Sequence, residues 1–387
     1  MEPKIRFKGF EGEWKAPLFS EMVERISASG QAGMLPGVEF EDIASGEGCF
    51  NKNIYQKECH KYGKLFYEGD ILFGKLRPYL KNIILADFNG VAIGDFWVLR
   101  SKGFDEKYLY TLVNSESFLK VANISSGSKM PRADWNLVST TKFVVPSAKD
   151  EQKAIGKYFT SLDSQISAST SRLASLKQMK AASLQAMFPQ KGETVPKIRF
   201  KGFEGEWKKV KADSIFKTFN EKNRSDLPVL SATQDRGMVT RESIGYNIFH
   251  DTSNEATYKH ILPGQFVIHL RSFQGGFAHS EIEGIASPAY TIMDFKNKDL
   301  YHDYYWRYVF MSKEFIKRLE LITYGIRDGR SISYDEFKEM SFLVPSKEEQ
   351  IKIASYLKNL DRQISLQSQR LEKLKQIKSA CLDKMFV

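Results

Sequence analysis

A thirteen-residue stretch, "PKIRFKGFEGEWK", occurs twice in this 387-residue chain, at positions 3–15 and 196–208. We call each copy a frame. A second repeat lies downstream of each frame, because residues 144–188 align with residues 343–386 apart from one residue of slack near the start. A repeat on this scale predicts two similar folded units within one chain.

The two blocks that lie between these repeats, residues 16–143 and 209–342, differ in sequence. They nevertheless share an order of short runs rich in β-branched and aromatic residues, such as "KLFYEGDILFGKL" and "PGQFVIHLRSF", which predict strands. A helical stretch follows in each, "EKYLYTLVNSESFLKVAN" and "YHDYYWRYVFMSKEFIKRLELI". Each block is therefore predicted to be an α/β domain of about 130 residues. Like frames around unlike blocks suggest two recognition domains for different targets.

The second repeat predicts a long helix in each copy, since apolar residues recur at steps of three and four. Forty helical residues span about 60 Å, and such a helix cannot bury its apolar seam alone, so the two copies are expected to pair. The short connection at 189–195 favours antiparallel pairing, and two independent helices are the alternative. The seam residues are Ile155, Phe159, Leu162, Ile166, Leu173 and Leu176, and Ile353, Leu357, Leu360, Ile364, Leu371 and Leu374.

The predicted fold class is α+β, with two similar α/β domains separated by a long antiparallel two-helix coiled coil and related by an approximate two-fold. Polar residues interrupt the seam at matching places, Ser169 with Gln367 and Lys180 with Lys378, and the lysines are expected to help set the register. The predicted bounds are 1–146 for the first domain, 147–190 for the first helix, 191–345 for the second domain and 346–387 for the second helix.

The net charge of +10 permits a polyanion as partner. The basic excess lies in the helical repeats, because residues 147–191 carry seven basic and three acidic side chains and residues 346–387 carry nine and five. The salt-dependent, non-specific affinity of the chain alone for a polyanion is therefore expected to be modest. No apolar run approaches the roughly 20 residues that cross a bilayer. Cys49, Cys59 and Cys381 lack CxxC spacing and are expected to be free thiols in a reducing cytoplasm.

Motifs of catalysis are missing from the sequence. The stretch "GDILFGKL" at 69–76 fits GxxxxGK, but Leu76 stands where a phosphate loop needs Ser or Thr, and no helix is predicted to follow. No two prolines are adjacent, so the Asn/Asp-Pro-Pro-Tyr/Phe motif of amino-methyltransferases is absent. HExxH, HxH and GxSxG are absent as well. The chain is predicted to bind and not to catalyse, and an enzyme with an unrecognised active site is the alternative.

Over nearly its whole length the chain resembles the specificity subunit of type I restriction–modification systems. The resemblance rests on the double architecture, on "Val-Pro-Ser…Glu-Gln…Ile" before each helix, on "GDILFGKLRPYL" (69–80) and on "SGSKMPR" (126–132), which is similar to the Gly-Ser-x-x-Pro-Arg loop of such domains. The second block departs from this pattern. There "GQFVIHLRSF" lacks the Lys-x-Arg-Pro order, and "YGIRDGRSIS" (324–333) replaces the Pro-Arg loop.

The resemblance implies that each block is a target recognition domain that reads one half of a bipartite site in double-stranded DNA. The helices would set the gap between the halves and dock two methyltransferase subunits, and motor–nuclease subunits would be further partners in the bacterial cytoplasm. It implies no catalysis and no cofactor in this chain, because S-adenosylmethionine, ATP and Mg²⁺ are expected in the partner subunits. The alternative is a coiled-coil adaptor whose blocks bind proteins or small ligands.

Base reading in the major groove uses Arg or Lys for guanine and Asn or Gln for adenine. Candidates are such side chains on loops where the backbone can approach the duplex, although some will contact phosphate, which positions without specifying. A solvated surface charge is the alternative for each of them. The candidates are Lys75, Arg77, Lys81, Ser128, Lys129 and Arg132 in the first block, and Arg271, Gln274, Arg327, Arg330 and Ser331 in the second.

Overall fold

The computed structural model describes residues 3–33, 35–57, 59–124, 130–233, 236–244, 252–269, 276–323 and 332–386. The fold is α+β, as predicted. The chain divides into two compact units, one made of Met1–Leu173 with Gln367–Val387 and the other of Ala174–Leu366. Each unit combines a mixed domain with parts of both long helices. The finer division into four segments stays a prediction.

In the first unit, one short α-helix precedes the strands of the mixed domain along the chain, and the other α-helices follow them. The helices are α1 (Phe19–Met22), α2 (Glu106–Val113), α3 (Glu116–Ala122), α4 (Trp135–Thr140) and the start of α5 (Lys149–Ala186). The strands are β1 (Val23–Ile26), β2 (Ser29–Gln31), β3 (Gly37–Val38), β4 (Ile43–Ala44), β5 (Cys49–Phe50), β6 (Tyr62–Phe66), β7 (Ile71–Gly74), β8 (Ile83–Leu85), β9 (Gly90–Ala92) and β10 (Phe96–Ser101).

Strand β7 lies inside an antiparallel sheet of order β1-β10-β7-β8 and is buried along its whole length. Ile71 and Phe73 pack in one apolar core with the helices, while Leu72 packs in a second core on the opposite face. Because alternate side chains of a strand point to opposite faces, burial on both faces explains the continuous apolar run. A second sheet has the order β2-β6-β9-β3, in which β3 runs parallel to β9.

The second unit repeats this plan. Its helices are α6 (Ala212–Ile215), α7 (Asp303–Met311), α8 (Lys313–Thr323), α9 (Tyr334–Lys338) and the first half of α10 (Lys347–Met385). Its strands are β11 (Lys208–Lys211), β12 (Phe216–Phe219), β13 (Leu230–Thr233), β14 (Gly237–Thr240), β15 (Lys259–Ile261), β16 (Phe266–Ile268), β17 (Phe277–His279), β18 (Gly284–Ala286), β19 (Thr291–Phe295) and β20 (Ser341–Val344).

The main sheet of the second unit has the order β12-β19-β16-β17, which matches β1-β10-β7-β8 of the first unit strand for strand. A one-turn helix precedes the strand of each sheet that comes first in the chain. Two consecutive helices follow the strand that comes last. The two blocks therefore share one topology despite their different sequences, as the shared order of apolar runs predicted.

The frame repeat attaches to the start of the long helix in each unit. In the first, Nε and Nη2 of Arg6 lie 2.7 and 2.8 Å from the two carboxylate oxygens of Glu151. In the second, Arg199 and Glu349 make the same two contacts at 2.7 and 2.8 Å. Both glutamate side chains are 1% exposed. Because bidentate pairs impose geometry as well as energy, the two frames must be alike to fasten on alike helix starts.

The glutamine that follows each of these glutamates joins the helix to its block. Gln152 and Gln350 each donate to the carbonyl of the proline before the helix, at 2.9 and 3.1 Å. Their side-chain oxygens accept the backbone N–H of Asp105 and His302, the residues at the starts of α2 and α7. The Val-Pro…Glu-Gln pattern of the sequence is therefore a structural junction between strand, frame and helix.

Helices α5 and α10 pack against each other within the first unit. Asp163 lies 2.5 Å from Lys378, and the amide of Gln367 donates to the carbonyl of Ser169 at 3.2 Å. The residue numbers on α10 fall as those on α5 rise, so the two helices run antiparallel here. The matching polar interruptions Ser169 and Gln367 thus meet each other across the pair.

The second unit shows the same antiparallel packing. Lys180 lies 2.5 Å from Asp361, and the hydroxyls of Ser183 and Tyr356 are 3.3 Å apart. The predicted antiparallel pairing is confirmed in both units, and the alternative of two independent helices is wrong. Both seam lysines pair with an aspartate of the other helix, which fixes one register in each unit as the sequence suggested.

The predicted seam is buried unevenly. Seven of its residues are less than a tenth exposed: Ile155, Phe159, Leu162, Leu176, Ile353, Leu357 and Leu360. The other five are half-buried: Ile166, Leu173, Ile364, Leu371 and Leu374. The half-buried residues lie mostly toward the middle of each helix, where a single partner helix covers less of a side chain than a mixed domain does.

The first long helix ends earlier than predicted. It stops at Ala186, before Pro189, and the second begins at Lys347. The amide of Gln190 folds back and donates to the carbonyls of Gln185 and Phe188, at 2.8 and 2.9 Å. The last carbonyls of a helix lack partners within the helix, and the Gln190 amide donates to carbonyls at this end. The sequence had indicated Pro189 alone as the residue that ends the helix.

Gly156 lets α5 approach the start of α2. A Cβ atom built on Gly156 would lie 2.7 Å from the backbone nitrogen of Tyr108 and 2.8 Å from a carboxylate oxygen of Asp105. The same oxygen accepts the N–H of Tyr108 at 2.9 Å and caps α2. A methyl group at position 156 therefore cannot fit unless the two helices move apart.

We expect Gly156→Ala to destabilise the protein by about 1–3 kcal/mol, because the clash outweighs the higher helix propensity of alanine. Urea unfolding followed by circular dichroism measures the free energy of unfolding. Ser167→Ala, at an exposed position of the same helix, is the control and should be neutral or slightly stabilising. A gain of stability in Gly156→Ala would contradict this account of the glycine.

Candidate nucleic-acid interface

Four of the eleven predicted DNA-reading residues lie in the described part of the chain. Lys75, Arg77 and Lys81 are on the connection between β7 and β8, and Arg132 lies just before α4. The other seven fall outside the described residues and stay predictions. They are Ser128, Lys129, Arg271, Gln274, Arg327, Arg330 and Ser331.

The connection between β7 and β8 is a short 3₁₀ helix, Pro78–Leu80, bounded on both sides by left-handed residues. Arg77 has φ of 50° and Lys81 has φ of 52°. Residues other than glycine rarely adopt this conformation, which costs of order 1 kcal/mol or more, and such strain concentrates at functional sites. The loop sits between two antiparallel strands and leads to no α-helix, so "GDILFGKL" does not form a phosphate loop.

Backbone contacts hold this strained loop against the segment that carries Arg132. The N–H of Arg77 donates to the carbonyl of Pro131 at 2.8 Å, and the N–H of Ala133 donates to the carbonyl of Lys75 at 2.8 Å. Leu76 and Arg132 form an isolated antiparallel bridge. The two basic clusters predicted in the first block, 75–81 and 126–132, are thus brought together at residues 75–77 and 131–133.

The loop also exposes apolar surface. Tyr79 and Leu80 are 55% and 38% exposed at its tip, and Arg77 beside them is exposed as well. Sequence reasoning passed over this pair, although the order Arg-Pro-Tyr-Leu places large side chains in a turn that would otherwise be polar. Apolar side chains flanked by cations suit a groove that offers both base edges and phosphates.

Asp95 lies between two of the cations. One carboxylate oxygen is 3.2 Å from Nζ of Lys75, and the other is 3.3 and 3.0 Å from Nε and Nη2 of Arg132. Sequence reasoning missed this residue, because it is 37 positions away from Arg132 and belongs to no motif. Only the pairing of β10 with β7 brings it to the loop.

The ionisation of Asp95 follows from these contacts. Burial would raise its pKa, but the hydrogen bonds from Arg132 and Lys75 outweigh burial and hold the pKa below the usual value for aspartate. The carboxylate is therefore charged at neutral pH. Its contribution to stability is present above the ordinary aspartate pKa and is lost as the pH falls through the lowered pKa.

The matching edge of the second unit has different chemistry. His269 follows β16, and its N–H donates to the carbonyl of Gly276 at 2.9 Å. Residues 270–275 between them lie outside the described part. Burial lowers the pKa of His269. The two units therefore carry the same sheet with different side chains where the loops emerge, as the differing sequences predicted.

Neither a metal-binding cluster nor a membrane-spanning helix is present in the part of the chain that the structure describes. In the described ranges, no three His, Cys, Asp or Glu side chains lie close enough together to hold a metal ion. Within the same part of the chain, no helix combines the length and apolar character that a membrane span requires.

The comparison with known proteins points to one class. Residues 204–376 match the family model described as the type I restriction modification DNA specificity domain. A stretch of 120 residues, 29% of this chain, is 24% identical to the type I restriction enzyme EcoDI specificity subunit of Escherichia coli. The chain spans about a quarter of the length of that relative, 27%.

Two solved structures resemble the fold over nearly all of the chain. The type I restriction–modification system S subunit from M. genitalium has a TM-score of 0.63 at 14% identity, with 100% of this chain and 99% of that chain covered. A chain from a study of complex assembly and conformational transition of the type I R-M system has a TM-score of 0.51 at 19% identity, with 98% and 99% covered. At this level of identity the likeness shows the shared fold.

Sequence and fold thus both resemble type I restriction–modification specificity subunits, and the resemblance predicted from the sequence is confirmed as a resemblance. Within this chain, residues 204–376 carry the match to the DNA specificity domain itself. The E. coli relative and the M. genitalium neighbour are themselves named as specificity subunits. The match of residues 204–376 to a DNA specificity domain does not favour the adaptor hypothesis.

Proposed function

We propose that this chain is the DNA-specificity subunit of a type I restriction–modification complex, in which each mixed domain reads one half of a bipartite site. The match of residues 204–376 to a DNA specificity domain carries the proposal. The loop that gathers Lys75, Arg77 and Arg132 supports it from the first unit. These are the side chains that donate to guanine in the major groove, and Arg77 and Arg132 are exposed.

We further propose that the paired helices set the gap between the half-sites and dock two methyltransferase subunits, with motor–nuclease subunits as further partners. S-adenosylmethionine, ATP and Mg²⁺ would then be bound by those partners in the bacterial cytoplasm. The charge distribution supports docking on the helices, because the helices hold the basic excess of the chain. Only part of this excess is used in the ion pairs of Lys180 and Lys378.

The direct test is selection of bound duplexes from a random DNA library by the chain assembled with its methyltransferase. We expect enrichment of two short sequences separated by a fixed gap, and the modified motif in cellular DNA should agree with it. Recovery of no sequence preference from an assembled complex would favour the adaptor hypothesis instead.

A point variant sharpens this test. Arg132→Ala should weaken binding to the selected site by roughly 1–3 kcal/mol, relax the preference at one or two positions of one half-site, and leave the other half unchanged. Competition binding with single-base variants of the site measures the preference. Lys15→Ala, a cation of the first frame away from the loop, is the control. Relaxation of both halves by Arg132→Ala would contradict the assignment of one domain to one half.

A further inference from the structure

We infer that Asp95 is a positioning residue for base reading, which holds Arg132 and Lys75 in orientations suited to base edges and away from phosphates. The inference rests on the proposed function. It begins from the observation that two predicted readers, which come from different segments, share one carboxylate.

Asp95 is itself firmly placed. Its carbonyl accepts the N–H of Lys75 at 2.9 Å, so the backbone of the two residues is joined beside the ion pair. Gly94 before it has φ of +96°, a conformation that other residues rarely adopt, and Phe96 after it is 1% exposed in the core. A carboxylate anchored in this way can orient a flexible cation. A carboxylate on a mobile loop would instead move together with the cation.

The edge of the guanidinium that Asp95 uses determines what Arg132 can do. The contacts run through Nε and Nη2, at 3.3 and 3.0 Å. A guanidinium has five N–H groups in a fixed plane, so the edge formed by Nη1 and the outer N–H of Nη2 lies outside this pair. That edge offers two parallel donors, the arrangement that matches O6 and N7 of guanine. Arg132 is 51% exposed, so this edge can reach a duplex.

Lys75 is held by the same group with a single contact. Its ammonium has three donors, of which one points to Asp95 at 3.2 Å, and the side chain is 32% exposed. The carboxylate also lowers the local positive charge beside both cations. Affinity for phosphates depends on net charge, whereas base reading depends on the geometry of the donors. Asp95 therefore weakens non-specific attraction to DNA and favours directional contacts with bases.

The test compares Asp95→Ala with the parent chain, each assembled with its methyltransferase, on a duplex bearing the selected site and on a random duplex. We expect the ratio of the two dissociation constants to fall about tenfold, the worth of one well-placed base contact. Binding to the random duplex should strengthen, and its dependence on salt should steepen by about one phosphate contact, because the released cations can reach the backbone.

Controls separate positioning from folding. Asp87→Ala removes an exposed carboxylate from the same unit and should leave the ratio unchanged. Partial unfolding of Asp95→Ala would lower the active fraction on both duplexes alike and so would not move the ratio. Asp95→Asn keeps one acceptor without the charge and should fall between the parent and Asp95→Ala. In an Arg132→Ala background, most of the effect of Asp95→Ala should disappear.

The possible failures are distinguishable. If the parent complex discriminates between the duplexes and Asp95→Ala keeps the same ratio, the positioning role is wrong while the proposed function stands. If the parent complex itself shows no preference, the proposed function is wrong, and the inference about Asp95 falls with it.

Discussion

Replacing residues 16–143 with the corresponding block of another specificity subunit is expected to change one half of the recognised DNA site completely and to leave the other half unchanged. The physical reason is the attachment. Arg6 and Glu151 join the frame to the start of the helix, and Gln152 accepts the backbone N–H of Asp105 in the block. All three of these side chains lie outside the exchanged segment. Sequencing of DNA selected by the hybrid complex, or of the modified motif in cells that express it, measures both halves and the gap.

The matched control for the exchange alters the helices and leaves both blocks intact. Lengthening α5 and α10 by an equal number of residues should change the gap and neither half-site, because the blocks keep their own frames and junctions. If one exchange altered both half-sites, or if longer helices altered the bases recognised, the modular account of recognition would be wrong.

Arg6→Ala is expected to destabilise the first unit by roughly 3–5 kcal/mol, because it leaves the carboxylate of Glu151 buried without its cation. The side chain of Glu151 is 1% exposed, and that of Arg6 is 18% exposed. Hydrogen exchange should show the loss of protection first in the opening turns of α5 and in the frame. Urea unfolding gives the free energy for the whole chain.

The repeat supplies a second copy of this experiment. Arg199→Ala should have a similar cost through Glu349, with the loss of protection at the start of α10. The hydrogen bond with the Glu349 carboxylate raises the pKa of Arg199, so the guanidinium stays charged. Lys8→Ala, an exposed cation in the first frame, is the control and should have little effect. If Arg6→Ala also left the free energy of unfolding unchanged, the proposed role of the frame in anchoring the start of the helix would be wrong.

Much of this architecture was predictable because the sequence contains two copies of the frame and of the long helix. The steps of three and four residues in 144–188 and 343–386 predicted both long helices, and chain geometry predicted their direction. The polar interruptions were visible as well, and Lys180 and Lys378 prove to pair with aspartates at matching positions. What periodicity could not give was the end of α5, since that depends on the side chain of Gln190 returning to the helix.

The candidate interface was predictable only in part. Lys75, Arg77 and Arg132 were found by residue type and loop context. The structure brings them together because Arg77 and Lys75 form backbone hydrogen bonds with the residues on either side of Arg132. Asp95 was invisible to such reasoning because its role comes from the pairing of β7 with β10. Acidic residues are also not what a search for DNA-reading side chains selects. Long-range strand pairing thus determines which basic side chains are held in one orientation by a neighbouring carboxylate.

The lysine–aspartate pairs between the long helices are reciprocal. Asp163 of one repeat meets Lys378 of the other, and their counterparts Asp361 and Lys180 meet in the same way. Contacts in which residue i touches j and j touches i are those made by two identical subunits in a symmetric dimer. This polypeptide therefore preserves the bonding of a homodimer, as expected if its gene arose by tandem duplication and fusion of a single-block ancestor.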